Sequence, residues 1–220
     1  MTELIEQPRL TIRRISVSSM DNNVYLLTER ATGQQLLIDA ANEPDAIAAL
    51  VSAAGGDAAV PTRLEFILTT HSHRDHVGAL AAIASAHPEA EALAGAEDAD
   101  VITAATGVPI ARRLEHGDTI RLGGVELKVI GLRGHTPGSI AVAYSEPDQP
   151  THVFTGDSLF PGGVGDTNRD PERFSTLFSD VVSRIFEVYR ENAVVHPGHG
   201  AATTLCGERP HLAEWEARGW

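Results

Sequence analysis

Residues 71–76 read His71-Ser72-His73-Arg74-Asp75-His76, three histidines and an aspartate in six positions. Upstream, Leu64 to Leu68 is an apolar run followed by Thr69 and Thr70. Downstream, Val77 to Ala86 is a small-residue run that predicts a helix. The context is therefore strand, tight loop, helix. Side chains alternate along an extended chain, so His71 and His73 face the same way. Asp75 and His76 follow where the loop turns into the helix and approach from another side. Imidazole nitrogens and carboxylate oxygens are the donor set of zinc and related transition ions.

Outward from this loop the chain alternates strands and helices. Leu10 to Val17 alternates around Arg13 and Arg14, as an edge or half-buried strand does. Asp21-Asn22-Asn23 predicts a turn and Val24 to Leu27 a strand. Thr32-Gly33 turns into a third strand, ending Leu37-Ile38-Asp39. Pro44 opens a helix that Gly55-Gly56 stops. Further strands are predicted near Ile120–Leu122, Val125–Ile130, Ser139–Tyr144, His152–Thr155 and Ala193–Val195. Asp170 caps, and Pro171 begins, one long helix with an apolar stripe from Phe174 to Phe186. With no repeat, low-complexity tract or linker, residues 1–220 read as a single domain. Its expected architecture is sheet on sheet with helices on the outer faces.

A formal charge of −13 argues against a nucleic-acid partner, which needs a basic face, and against an anionic membrane surface. The 42% hydrophobic content suits a globular core, and no apolar run approaches a membrane span. Cys206 is the single cysteine, so no internal disulfide can form and no cysteine cluster can bind the metal. The first residues lack a basic and apolar leader pattern, and a cytoplasmic location is expected. Oligomeric state has no signature in the sequence.

A catalytic zinc takes about three protein ligands plus an open position, so further donors are expected at strand ends. Gly134-His135-Thr136-Pro137-Gly138 holds His135 in a rigid turn. Gly156-Asp157 places an aspartate just after an apolar strand, where its carboxylate can bridge two cations. His196-Pro197-Gly198-His199-Gly200 offers two histidines for one position. His199, between glycines, can come closest to a metal, and His196 reads as a packing residue ending its strand. His87, His116, His152 and His211 have no motif context and read as surface or structural.

These motifs, in this order from residue 71 to 199, resemble the metallo-β-lactamase superfamily, and most of all its glyoxalase II-like hydrolases of the hydroxyacylglutathione type. The resemblance implies an α+β fold, a four-layer αββα sandwich with the metals at one edge between the sheets. It implies that His71, His73 and His135 hold one ion and that Asp75, His76 and His199 hold the other. Asp157 would bridge them with a water. Asp39 matches the family's early aspartate, which supports the metal loop from behind. Two Zn2+ are expected, with Fe or Mn as alternatives.

The implied activity is a zinc-dependent metallo-hydrolase acting on a small-molecule thioester or ester. The metal-bridging water would be the nucleophile and Asp75 the group that accepts its proton. Phe160 and the loop to Arg169 would wall the pocket, with Arg169 available to a substrate carboxylate. A lactonase of the same fold is one alternative. A mononuclear iron persulfide dioxygenase using His71, His135 and Asp157 is another. Its relatives carry Gly-Cys-Gly-Arg where this chain has Gly162-Gly163-Val164-Gly165-Asp166. A non-catalytic metal-binding or regulatory protein is the reading from a different class.

Overall fold

The computed structural model describes residues 2–219. Strands β1 (Glu3–Glu6), β2 (Leu10–Val17), β3 (Asn22–Glu29), β4 (Gln34–Ile38), β5 (Arg63–Thr69), β6 (Glu91–Gly95) and β7 (Arg112–Leu114) form one sheet in chain order. It is antiparallel up to β4 and parallel from β4 to β7. Strands β8 (Thr119–Leu122), β9 (Val125–Gly131), β10 (Ile140–Tyr144) and β11 (His152–Gly156) belong to a second sheet. A small hairpin, β12 (Leu159–Phe160) and β13 (Gly163–Val164), follows. Then β14 (Val194–Pro197) and β15 (Thr203–Thr204) complete the second sheet, in the order β15-β14-β11-β10-β9-β8.

Side-chain alternation explains the layers. In β3, Tyr25 and Leu27 point into the space between the sheets, while Val24 and Leu26 point outward. Leu127, Val129, Val142 and Phe154 face them from the second sheet. A bulge in β5 changes the phase: Gln35 pairs with Leu64 but Leu36 pairs with Phe66. Leu64 therefore joins the outer face, and Phe66 and Leu68 join the inner one.

Helices cover both outer faces. Ile47 and Leu50 of α1 (Pro44–Ala53) pack on the first sheet. Behind the short α2 (Arg74–Val77), α3 (Leu80–Ala86) adds Leu80 and Ile83, and α4 (Ala99–Thr106) adds Ile102. On the second sheet lie α5 (Pro171–Val181), the one-turn α6 (Leu205–Glu208) and α7 (Leu212–Arg218), which contribute Leu177, Leu205 and Trp215. The result is a four-layer αββα sandwich.

Local details depart from the sequence reading. The helix expected over Val77–Ala86 is two pieces, parted at Gly78-Ala79. A Cβ at Gly78 would lie 2.6 Å from the Ala41 carbonyl, so this break lets the chain pass close to the end of β4. The long helix from Pro171 keeps α-geometry only to Val181 and loosens into a π-turn over Val182–Phe186. Asn22 and Asn23, expected in a turn, are already paired in β3. Among the described residues no helix is long and apolar enough to cross a membrane.

Candidate metal centre

Parallel pairing brings the loops together. β4 and β5 run side by side, so Asp39 and His71 leave the first sheet at the same end. β11 and β14 do the same in the second sheet and deliver Asp157 and His199 to one edge. His135 lies on the connection between β9 and β10. Two sheets thus contribute strand ends to a single edge of the sandwich.

The side chains named from the sequence meet there. Donor atoms of His71, His73 and His135 lie within 4.8 Å of one another, as do those of Asp75, His76 and His199. A third such group, His71, His76 and Asp157, overlaps both. Asp157 sits between the two sets. Its Oδ2 is 3.7 Å from His135 Nε2 and 3.4 Å from His199 Nε2, and its Oδ1 is 3.4 Å from His76 Nε2.

Hydrogen bonds fix the imidazole tautomers. His135 Nδ1 meets the Asp166 carbonyl at 2.7 Å and His199 Nδ1 meets that of Met20 at 2.7 Å. His76 Nδ1 lies 2.9 Å from Asp39 Oδ2. His71 Nδ1 lies 3.0 Å from Thr70 Oγ1, which itself donates to Asp39 Oδ2 at 2.8 Å. In each case a proton belongs on Nδ1 and Nε2 faces the centre, the arrangement a metal-ligating histidine uses once Nε2 itself is unprotonated. Asp39 is held at φ 58°, a left-handed backbone uncommon outside glycine, so that its carboxylate reaches both Thr70 and His76.

Does this donor set fit a cation? His71 Nε2, His135 Nε2 and Asp157 Oδ1 are buried and have no hydrogen-bond partner. Unpaired buried acceptors are costly, and three aimed at one volume are satisfied together by a positive ion. The acid–base balance points the same way. Burial opposes ionisation of Asp157, but the adjacent His199 and His76 outweigh it and hold its carboxyl well below the usual range. Burial likewise opposes charging His76, yet Asp39 and Asp157 lift its pKa to about 10. Burial keeps His71 and His135 neutral by lowering theirs. A cation would compete with the His76 proton, so uptake at such a site releases protons.

Some contributors escaped the sequence reading. Asn22, fully buried, donates to Asp75 Oδ2 at 2.9 Å and lies 3.4 Å from His199 Nε2. Thr70 relays Asp39 to His71. The signal for Asn22 was its place two residues ahead of the apolar run that starts at Val24, which a turn explains equally well. Phe160 has its ring centroid 6.4 Å from that of His199. A cavity of about 680 Å³ opens beside His73 and His135 and is lined also by Ser72, Asn168, Glu172, Arg173 and Thr176. Arg169 is exposed and neighbours Asn168 in the chain. His196 is buried in β14, stacked on Phe154 at 4.8 Å, and bonded to His152 at 2.8 Å, away from the donor groups.

Similarity to known proteins agrees with this geometry. The family model described as "Metallo-beta-lactamase superfamily" matches residues 20–199. The chain belongs to the metallo-β-lactamase superfamily. Within it, the hydroxyacylglutathione hydrolase of Anaeromyxobacter dehalogenans (strain 2CP-C) is 35% identical over 184 residues, 83% of this chain and 62% of that protein. The mitochondrial persulfide dioxygenase ETHE1 of Bos taurus is 29% identical over 176 residues, 80% of this chain and 62% of that one. This chain therefore spans less than two thirds of either protein. Among solved structures, TTHA1623 in a di-iron-bound form superposes with a TM-score of 0.67 at 32% identity, covering 89% of this chain and 96% of that one. The αββα sandwich described above is the metallo-β-lactamase fold.

Proposed function

We propose that this chain is a binuclear metal-dependent hydrolase, a glyoxalase II-like thioesterase working as a single domain on a small-molecule substrate. The observation that carries the reading is the convergence of two three-residue donor groups on either side of Asp157, with buried lone pairs left open between them. His71, His73 and His135 would hold one ion and Asp75, His76 and His199 the other, with Asp157 shared. Zinc is the ion proposed; iron or manganese suits the same donors. Bound there, two cations bring the pKa of a water toward neutrality and draw charge from a carbonyl.

The chain's own residues then act as follows. Asp75 is partly buried; burial opposes its charge, but the Asn22 hydrogen bond, the neighbouring His76 and a backbone hydrogen bond together outweigh this and keep its carboxyl below the ordinary range. Held ionised and aimed by Asn22, Asp75 accepts the proton of the attacking water. The cavity beside His73 and His135 would receive the acyl and thiol portions, and Phe160, beside His199, and Arg169, next to the cavity residue Asn168 in the chain, are the further substrate contacts proposed. A cytoplasmic location belongs to the same proposal, since one exposed free cysteine asks for no oxidising compartment.

Similarity to a persulfide dioxygenase supports a second reading, a mononuclear iron enzyme using His71, His135 and Asp157. One experiment separates them. Protein purified without added metal is analysed for metal content and assayed on thioesters, lactones, a β-lactam and a persulfide with an oxygen electrode, with and without chelator. Two ions per chain and chelator-sensitive thioester hydrolysis are expected. Lactone turnover in preference to thioester would make the chain a lactonase, and one iron with oxygen consumption would overturn the hydrolase. No turnover with ions bound would make it a metal-binding protein.

A further inference from the structure

Asp98 precedes α4 and by its sequence position should cap that helix. It does not: its side chain makes no cap hydrogen bond. The carboxylate, 1% exposed, turns away instead. Its Oδ2 accepts from the Ser72 backbone N–H at 2.8 Å and from Thr136 Oγ1 at 2.7 Å. Its Oδ1 accepts from the Gly138 N–H at 2.8 Å. Ser72 stands between His71 and His73, and Thr136 follows His135. One carboxylate thus ties together two loops that come from opposite sheets.

The neighbourhood is shaped for this contact. A Cβ at Gly95 would fall 1.9 Å from the Gly138 carbonyl, and one at Gly138 would fall 2.3 Å from the Asp98 nitrogen. Only glycine at both places lets the end of β6 and the His135 loop approach. The Ile140 N–H adds a bond across the same seam, to the Thr70 carbonyl at 2.9 Å. The other donor group is held by different residues, Asn22 on Asp75 and Asp39 on His76.

We propose that Asp98 is the positioning residue of the His71–His73–His135 group: by pinning Ser72, Thr136 and Gly138 it sets the geometry of that group alone. The proposal rests on the metal-centre reading for its effect on ion affinity, but the pin itself does not. Asn at position 98 has one oxygen where the carboxylate has two, so an amide NH2 must face a backbone N–H in one of the two loops. A buried donor then loses its acceptor.

The test compares the parent with Asp98→Asn, and with Asp100→Asn as an exposed control on the same helix. Zinc affinities come from competition with a chromophoric chelator, and stoichiometry from native mass spectrometry. In Asp98→Asn one of the two affinities should weaken about 10- to 100-fold, the usual effect of losing such an outer partner, and the other should stay within about threefold. Amide exchange of the metal-free proteins supplies a readout independent of metal. Ser72 and Gly138 should exchange at least about tenfold faster while the first turn of α4 is unchanged.

Faster exchange in α4 with quiet loops would make Asp98 an ordinary helix cap and overturn the proposal. Equal weakening of both affinities, or of neither, would overturn it too. A parent chain that takes up no zinc would sink the metal centre, while the exchange arm still decides the pin. Should Asp98→Asn fail to fold, Thr136→Val removes one of the three bonds and should show the same selectivity at smaller amplitude; its absence there would count against the pin.

Discussion

Gly198 offers a sharp test of how little room the centre has. Its backbone lies outside the left-handed region, so alanine is conformationally admissible and only space is at issue. A Cβ there would stand 2.2 Å from Asp157 Oδ1 and 2.7 Å from His76 Cε1. Real Cβ contacts stop near 3.0 Å, so going from 2.2 Å to that floor forces Asp157 back by 0.8 Å. The glycine cannot yield instead, because its N–H is bonded to the Gly156 carbonyl at 2.8 Å and its carbonyl to the Asn23 N–H at 2.7 Å. A shift approaching 1 Å in a reacting group costs about 100-fold in rate, and overpacking costs about 1–3 kcal/mol of stability. Gly198→Ala should therefore lose roughly two orders of magnitude in kcat for thioester hydrolysis. It should also carry less metal by native mass spectrometry, while still melting cooperatively. Gly55→Ala, with nothing within 4 Å, should match the parent. A Gly198→Ala protein with parental kcat and full metal content would refute the claim that Asp157 is held in contact with both donor groups.

Asp157→Ala should abolish most activity and release one ion, whereas His152→Ala, 3% exposed and remote from the donors, should cost stability but little activity; identical behaviour in metal analysis and kinetics would undo the ligand assignment. Burial, and secondarily the neighbouring His152, hold the His196 pKa at about 3. Because the unfolded value is about 6.5, the unfolded chain binds a proton that the folded one refuses, and stability falls as pH drops from about 6.5 toward 3, by up to about 1.4 kcal/mol per unit. Urea unfolding of metal-free protein at several pH values should show that slope, and a His196→Leu variant should have a shallower one over the same window. Trp215, 1% exposed and edge-on to Phe186 at 6.3 Å, closes the outer core. Trp215→Ala should lose about 3–5 kcal/mol in chemical denaturation, and a loss under 1 kcal/mol would mean that α7 contributes little to the fold.

What could be read in the sequence was what is local. The histidine loop carries four donors within six residues, and the glycines at 134, 156 and 198 mark where the chain must come close to something. The sheet-on-sheet core with outer helices followed from the clustered strands with helices between them and from the apolar stripe from Phe174 to Phe186. What stayed hidden depends on partners distant in the chain. The carbonyls of Met20 and Asp166 fix two imidazoles, and a backbone atom has no residue signature. Asn22 looked like a turn residue because its role depends on Asp75, 53 positions away. The edge strands β1, β7 and β15 exist only by pairing with stronger neighbours. His152, read as surface or structural, is buried because His196 and Gln7 bracket it at 2.8 Å and 3.1 Å.

Every one of the three donor groups mixes residues from the first sheet with at least one from beyond β8. Neither half of the polypeptide owns a complete group. On the proposed reading, an ion in any of them is a clasp between halves, and its binding free energy adds directly to the adhesion of one sheet to the other. His135, Asp157 and His199 all follow the loop they join, so each group is complete only when the second sheet is folded against the first. Metal-free protein would then be the form whose two sheets part more readily.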